Sequence, residues 1–183
     1  MTPSSDSAAL RARARGAYER SRLGLGVRAA LPVLPMAALS LLVCERPALT
    51  MASGGLLFVL AVALRARGGS CARALGPGLL AGSAPLILPL VLRASGHCCI
   101  GGACWSLCML GCTLGGLLAG VAIGIAAAME RDQRGAFLLS ATLVAGLAGV
   151  LGCAMAGASG IAGMAIAIAG ASIPTAIAAR ARA

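Results

Sequence analysis

Residues 103–128, ACWSLCMLGCTLGGLLAGVAIGIAAA, carry no charged side chain. About 20 mainly apolar residues are needed for a helix to cross the hydrocarbon of a bilayer. This stretch exceeds that length, with enough left over to tilt or protrude. Working outward, five more apolar blocks occupy residues 29–44, 49–64, 74–92, 136–154 and 161–179. The expected fold is therefore all-α, a polytopic membrane bundle of about six transmembrane helices. Glu45-Arg46-Pro47-Ala48 would form the turn between the first two blocks, and Ala156-Gly157-Ala158-Ser159-Gly160 the turn between the last two. Pro32, Pro35, Pro85, Pro89 and Pro174 fall inside blocks and are candidates for helix kinks.

The composition of the 183-residue chain agrees. Hydrophobic residues make up 60% and charged residues 11%, against about 25% charged in a soluble domain. Aromatics are only 2%. Alanine, leucine and glycine dominate, which suits helices that pack closely in lipid. The formal net charge of +10 comes from fifteen arginines without a lysine. In a soluble protein such a charge would point to nucleic acid. Here the arginines sit between apolar blocks, so a lipid bilayer is the expected partner and direct nucleic-acid binding is not.

Arginine bias sets the expected orientation. With the N-terminus in the cytoplasm, the inner segments hold Arg11, Arg13, Arg15, Arg20, Arg22, Arg28, Arg65, Arg67, Arg73, Arg131, Arg134, Arg180 and Arg182. The outer segments hold only Arg46 and Arg93. Both termini are thus expected in the cytoplasm, with residues 1–28 as a basic lead helix and 29–183 as the six-helix transmembrane domain. The lead is too long and basic for a cleaved signal peptide.

Ser5 or Asp6 can cap a helix running through Arg20. Such a helix would touch anionic headgroups, at about 1 kcal/mol per arginine. It could instead dock a cytoplasmic partner through Leu10, Arg11, Ala14, Arg15, Ala17, Tyr18 and Arg22.

The cysteines carry the only hint of chemistry. Seven of the eight, all but Cys71, fall in the outer half of this topology. Cys104, Cys108 and Cys112 are spaced by four, which places them on one helix face. The same row continues as Gly116, Gly120 and Gly124, a small-residue seam at which another helix can pack closely. Cysteine is small and apolar enough to belong to it, so helix packing is the simplest role for Cys108 and Cys112. Gly146, Gly149 and Gly152 offer a facing surface.

His97, Cys98 and Cys99 precede that helix in a glycine-rich loop. In an oxidising compartment Cys98 or Cys99 could pair with Cys104, Cys44 or Cys153. The set His97, Cys98, Cys99, Cys104 and Cys108 could also serve redox sensing, or bind a soft metal ion such as Cu(I) or Zn(II), which would make the chain a metal sensor or permease accessory. No cofactor beyond such an ion is expected.

No Asp, Glu, Lys or His lies inside any block, although ion-coupled transporters usually keep an ionisable group at membrane depth. Nucleotide, zinc-protease and serine-hydrolase motifs are absent. Glu45, Glu130 and Asp132 lie at helix ends, where solvation is expected. An enzyme is not expected.

In layout, the whole chain resembles the small bacterial membrane-bound anti-sigma regulators of extracytoplasmic-function sigma factors, of the NrsF or CarR type. What carries the resemblance is six apolar blocks, the segment Ser5–Arg22 and the outer cysteines. It implies a protein of the bacterial cytoplasmic (inner) membrane. Its lead would hold a cytoplasmic sigma factor and release it on an envelope or redox stimulus. Because the lead is short, Arg65–Arg73 and Glu130–Arg134 would have to assist.

Overall fold

A computed structural model describes residues 5–43, 47–94, 104–130, 132–153 and 157–181. Seven helices and no strands occur among them: α1 Ser5–Ala30, α2 Val33–Val43, α3 Pro47–Arg67, α4 Gly69–Ala94, α5 Cys104–Met129, α6 Arg134–Cys153 and α7 Gly157–Ala181. They make six stretches long and apolar enough to cross a membrane, the first being Arg13–Leu42 and running through both α1 and α2. The chain is an all-α, multi-pass membrane protein.

The first block differs in detail from expectation. The lead helix, expected over residues 1–28, runs unbroken from Ser5 to Ala30, just inside the block that begins at residue 29. Only a turn at Leu31–Pro32 separates it from α2. Proline lacks an N–H and disfavours helical geometry in the residue before it, which accounts for the break. By contrast, Pro77, Pro85 and Pro89 lie within α4, and Pro174 within α7. The last connection also differs, because Gly157–Gly160 already belong to α7. That segment contains no residue that forbids helix, and its alanine and serine extend it.

Glycines show which helices touch. A Cβ added at Gly116 would lie 2.8 Å from the Met164 carbonyl oxygen. One added at Gly120 would lie 2.6 Å from that of Ile168, and one at Gly124 would lie 2.8 Å from that of Ser172. The seam therefore exists, and it faces α7 in parallel, not the glycines of α6. Gly152 instead receives Pro85 and Leu86 of α4, Gly149 lies against Met164 of α7 as well as Pro85 of α4, and Gly146 has open space beside it. α4 and α6 are also parallel, since Gly78 meets Ala141 and Val144, and Gly82 meets Ala145 and Ala148. Close backbone approach is how helices gain dispersion energy in lipid, where the hydrophobic effect drives no association.

α6 is the hub. Phe137, Ala141, Ala145 and Cys153 join one buried cluster with α4, α5 and α7. Val144, Ala148 and Leu151 join a second with α1, α2, α3 and α4. The outward faces are apolar instead of polar: Leu42, Leu80, Leu139, Ile166 and Ile177 are all exposed. Such a surface is expected where lipid replaces water. Among the described residues every buried polar side chain is satisfied, as when the Ser40 hydroxyl donates to the Leu151 carbonyl at 2.6 Å.

Candidate functional site

Two groups of residues, at opposite ends of the bundle, have features that packing alone does not require. The first is the end at which α1 begins. α1 and α3 run antiparallel, with Gly26 against Val62 and the Arg22 guanidinium beside Gly68. Gly68 lies just past the last residue of α3. Everything before Arg22 therefore extends past the end of the bundle. Seventeen residues, Ser5–Ser21, form this projection, about 25 Å of helix. Leu10 is 65% exposed and Tyr18 61%. Ala14, Arg15 and Ala17 are exposed too. The Arg22 guanidinium stacks over the Tyr18 ring, 5.4 Å from its centroid, an attraction worth about 0.5–1 kcal/mol at an exposed site. Leu10, Arg15, Tyr18 and Arg22, singled out from the sequence, thus share one helix. Arg11 belongs to it as well, but its side chain lies outside the described residues.

Two loops close the bundle at the same end. Gly68 and Gly69 both have positive φ, 76° and 61°, a pair of left-handed residues that glycine adopts at little cost. They turn α3 directly into α4. Beside them, Arg73 Nη1 donates to Glu130 Oε1 at 2.6 Å. The Glu130 side chain is 7% exposed and that of Arg73 60%. Arg134 Nε also donates to the Glu130 backbone carbonyl. Ser70 Oγ lies 3.3 Å from Gln133 Oε1. Glu130 is therefore not solvated, as its place at a helix end implied. It is buried between two inter-helix loops, and a buried carboxylate needs its partner. Nothing in the spacing of Arg73 and Glu130 along the chain announces this pair. Only the antiparallel packing of α4 on α5 brings them together.

The second group lies at the other end. Cys112 of α5 and Cys153 of α6 form a disulfide, with their Cα atoms 6.0 Å apart. Both residues are fully buried. Cys153 Sγ also lies 3.8 Å from the Pro85 carbonyl oxygen and 3.8 Å from Met164 Sδ. The four helices α4 to α7 thus converge on one sulfur cluster. Helix packing was the expected role of Cys112. The structure gives it both roles, because it heads the glycine seam and also binds Cys153. Cys153 was foreseen as a disulfide partner, but of Cys98 or Cys99. Met164 had no sequence signal at all.

His97, Cys98 and Cys99 lie outside the described residues. Cys104 and Cys108 stand in the first turns of α5, and their side chains also lie outside them. Among the described residues no three His, Cys, Asp or Glu side chains come together to hold a metal ion. The free cysteine among them is Cys71, half-buried in α4 near the end where α1 begins.

An apolar cleft of about 340 Å³ separates α6 from α7. Leu147, Gly146, Thr142, Val150, Ile161 and Met164 line part of it.

No protein-family model, curated protein or solved structure matches this chain.

Proposed function

We propose that this chain is a regulatory protein of a bacterial cytoplasmic membrane, with both termini in the cytoplasm. Its projecting helix holds a cytoplasmic protein of the extracytoplasmic-function sigma-factor type. A change in the envelope, redox change included, alters the bundle and lets that partner go. One observation carries this reading: Ser5–Ser21 project as a basic helix with Leu10 and Tyr18 uncovered. Uncovered apolar side chains on a projecting helix can anchor it in a groove of a partner. The Arg65–Arg73 and Glu130–Arg134 segments close the bundle on the same side, so they can add to the contact. The arginine distribution favours a cytoplasmic location for this end.

The test is co-purification from membranes. Each extracytoplasmic-function sigma factor of the same cell is tagged and expressed with this chain. One of them is expected to be retained, and Leu10→Glu combined with Tyr18→Glu to reduce retention at least tenfold at unchanged membrane levels. Retention of none, or equal retention by the double variant, would contradict the proposal.

A further inference from the structure

We infer that Cys112, Cys153 and Met164, where α4 to α7 converge, form a binding site for a soft monovalent metal ion, Cu(I), whenever the two cysteines are thiols. The site goes beyond the proposed function and does not depend on it. It uses none of His97, Cys98, Cys99, Cys104 and Cys108.

Three sulfurs from three helices meet here. Cys112 and Cys153 have their Cα atoms 6.0 Å apart, and Met164 Sδ lies 3.8 Å from Cys153 Sγ. Metal–sulfur bonds of about 2.3 Å place two sulfurs on one ion about 3.8–4.0 Å apart, in tetrahedral or trigonal array. Cys153 and Met164 have that separation. Without a bond between them, Cys112 and Cys153 reach it by rotation about χ1. A disulfide needs no thioether beside it, yet the fold makes room for this one. A Cβ on Gly149 would overlap Met164 Sδ, so the sulfur fills the space that a side chain there would take. The Pro85 carbonyl is a second provision. Pro89, four residues on in α4, has no N–H to give it, and the oxygen lies 3.8 Å from Cys153 Sγ instead. It accepts the S–H of the reduced cysteine and fixes that side chain in place.

The donors choose the ion. Thiolate and thioether sulfur together suit Cu(I), whereas zinc sites with two cysteines are completed by imidazole or carboxylate. Among the described residues no His, Asp or Glu joins the two cysteines. Cys112, Cys153 and Met164 are all fully buried, so water does not compete for the ion. Binding releases one thiol proton, and thiolate and Cu(I) then cancel, so that no net charge is buried in an apolar place. Cys153 is the last residue of α6, and the ion enters from that end of the bundle, opposite the projecting helix. The chain is synthesised with thiols, so the ion and the disulfide compete for the same two sulfurs. The Cys112–Cys153 bond excludes the ion, and the bound ion withholds both sulfurs from oxidation.

The full chain with Cys44, Cys71, Cys98, Cys99, Cys104 and Cys108 replaced by serine is purified in detergent, reduced, and freed of reductant without air. Cu(I) is supplied as its bicinchoninate complex, whose loss of colour reports transfer to the protein. We expect one ion per chain, three sulfur neighbours by X-ray absorption, no displacement by excess Zn(II), and no uptake by the disulfide form. Met164→Leu conserves volume and leaves both cysteines able to pair. It should weaken Cu(I) binding at least tenfold, lower the sulfur count to two, and leave disulfide formation on addition of an oxidant unchanged. No uptake by the dithiol form, equal uptake by the disulfide form, or displacement by Zn(II) overturns the inference. So does full affinity in Met164→Leu. The sulfur count of the parent protein decides without any variant, since two neighbours instead of three would remove Met164 from the site.

Discussion

Cys112 and Cys153 join α5 to the last residue of α6, inside a contact that α4 and α7 also share. The bond closes a separation of 41 residues. In the chain-entropy account a loop of that length stabilises a fold by about 4 kcal/mol. The unfolded chain of a membrane protein is already confined by lipid, so a smaller value is expected here. Cys153→Ser should therefore lower the midpoint of thermal unfolding in detergent and free Cys112 for labelling under denaturing, non-reducing conditions. An unchanged midpoint, or a Cys112 that labels equally in the parent protein, would count against the bond.

The seam of α5 makes a sharper demand. At Gly120 a Cβ would sit 2.6 Å from the Ile168 carbonyl oxygen and 2.7 Å from the Ala171 Cβ. Backbone cannot give way as a flexible side chain can. Overpacking of this kind costs about 1–3 kcal/mol or more, so Gly120→Leu should abolish the monodisperse peak in size-exclusion chromatography. Gly146→Ala should keep it. A folded Gly120→Leu would mean that the row faces lipid.

Glu130 depends on Arg73 more than an exposed ion pair would suggest. Arg73→Ala removes the partner of a carboxylate that is 7% exposed. Leaving such an acceptor unpaired costs about 1–3 kcal/mol. Removing the exposed Arg65 should cost far less. Thermal melts of Arg73→Ala and Arg65→Ala in the same detergent decide this. Equal midpoints would mean the latch contributes nothing.

Ser40 gives a local check on the packing of α2. Its hydroxyl donates to the Leu151 carbonyl of α6 at 2.6 Å, and it is fully buried. A hydrogen bond of this kind contributes about 1 kcal/mol net. Ser40→Ala should lower the melting midpoint modestly, and Ser40→Asp should prevent folding. Full tolerance of aspartate would place this face of α2 in water.

The helices were legible because membrane helices announce themselves. Twenty apolar residues without charge have few other fates. The glycine row of α5 was legible for a related reason: spacing by four places Gly116, Gly120 and Gly124 on one side of one helix. What spacing along one helix cannot tell is which helix faces it. Gly146, Gly149 and Gly152 have the right composition, yet α4 covers Gly152, α4 and α7 share Gly149, and α7 takes the seam. The partner is chosen by the order in which six helices cross, which no local pattern records. The same limit hid Met164 beside Cys153 and Arg73 beside Glu130. Arg73 meets Glu130 only through the packing of α4 on α5, and Met164 meets Cys153 only through the way the consecutive helices α6 and α7 lie against each other.

Orientation underlies every functional claim made for the projecting helix, since it can meet a cytoplasmic partner only from the cytoplasm. The most direct measurement is reporter fusion after Ser70, Ser95, Asp132 and Ala183, with one reporter active only outside the cytoplasmic membrane and one active only inside. The outside reporter should be active after Ser95 alone, and the inside reporter after Ser70, Asp132 and Ala183. Outside activity at Ser70 or Asp132, or silence at Ser95, would contradict six spans with the basic helix inside.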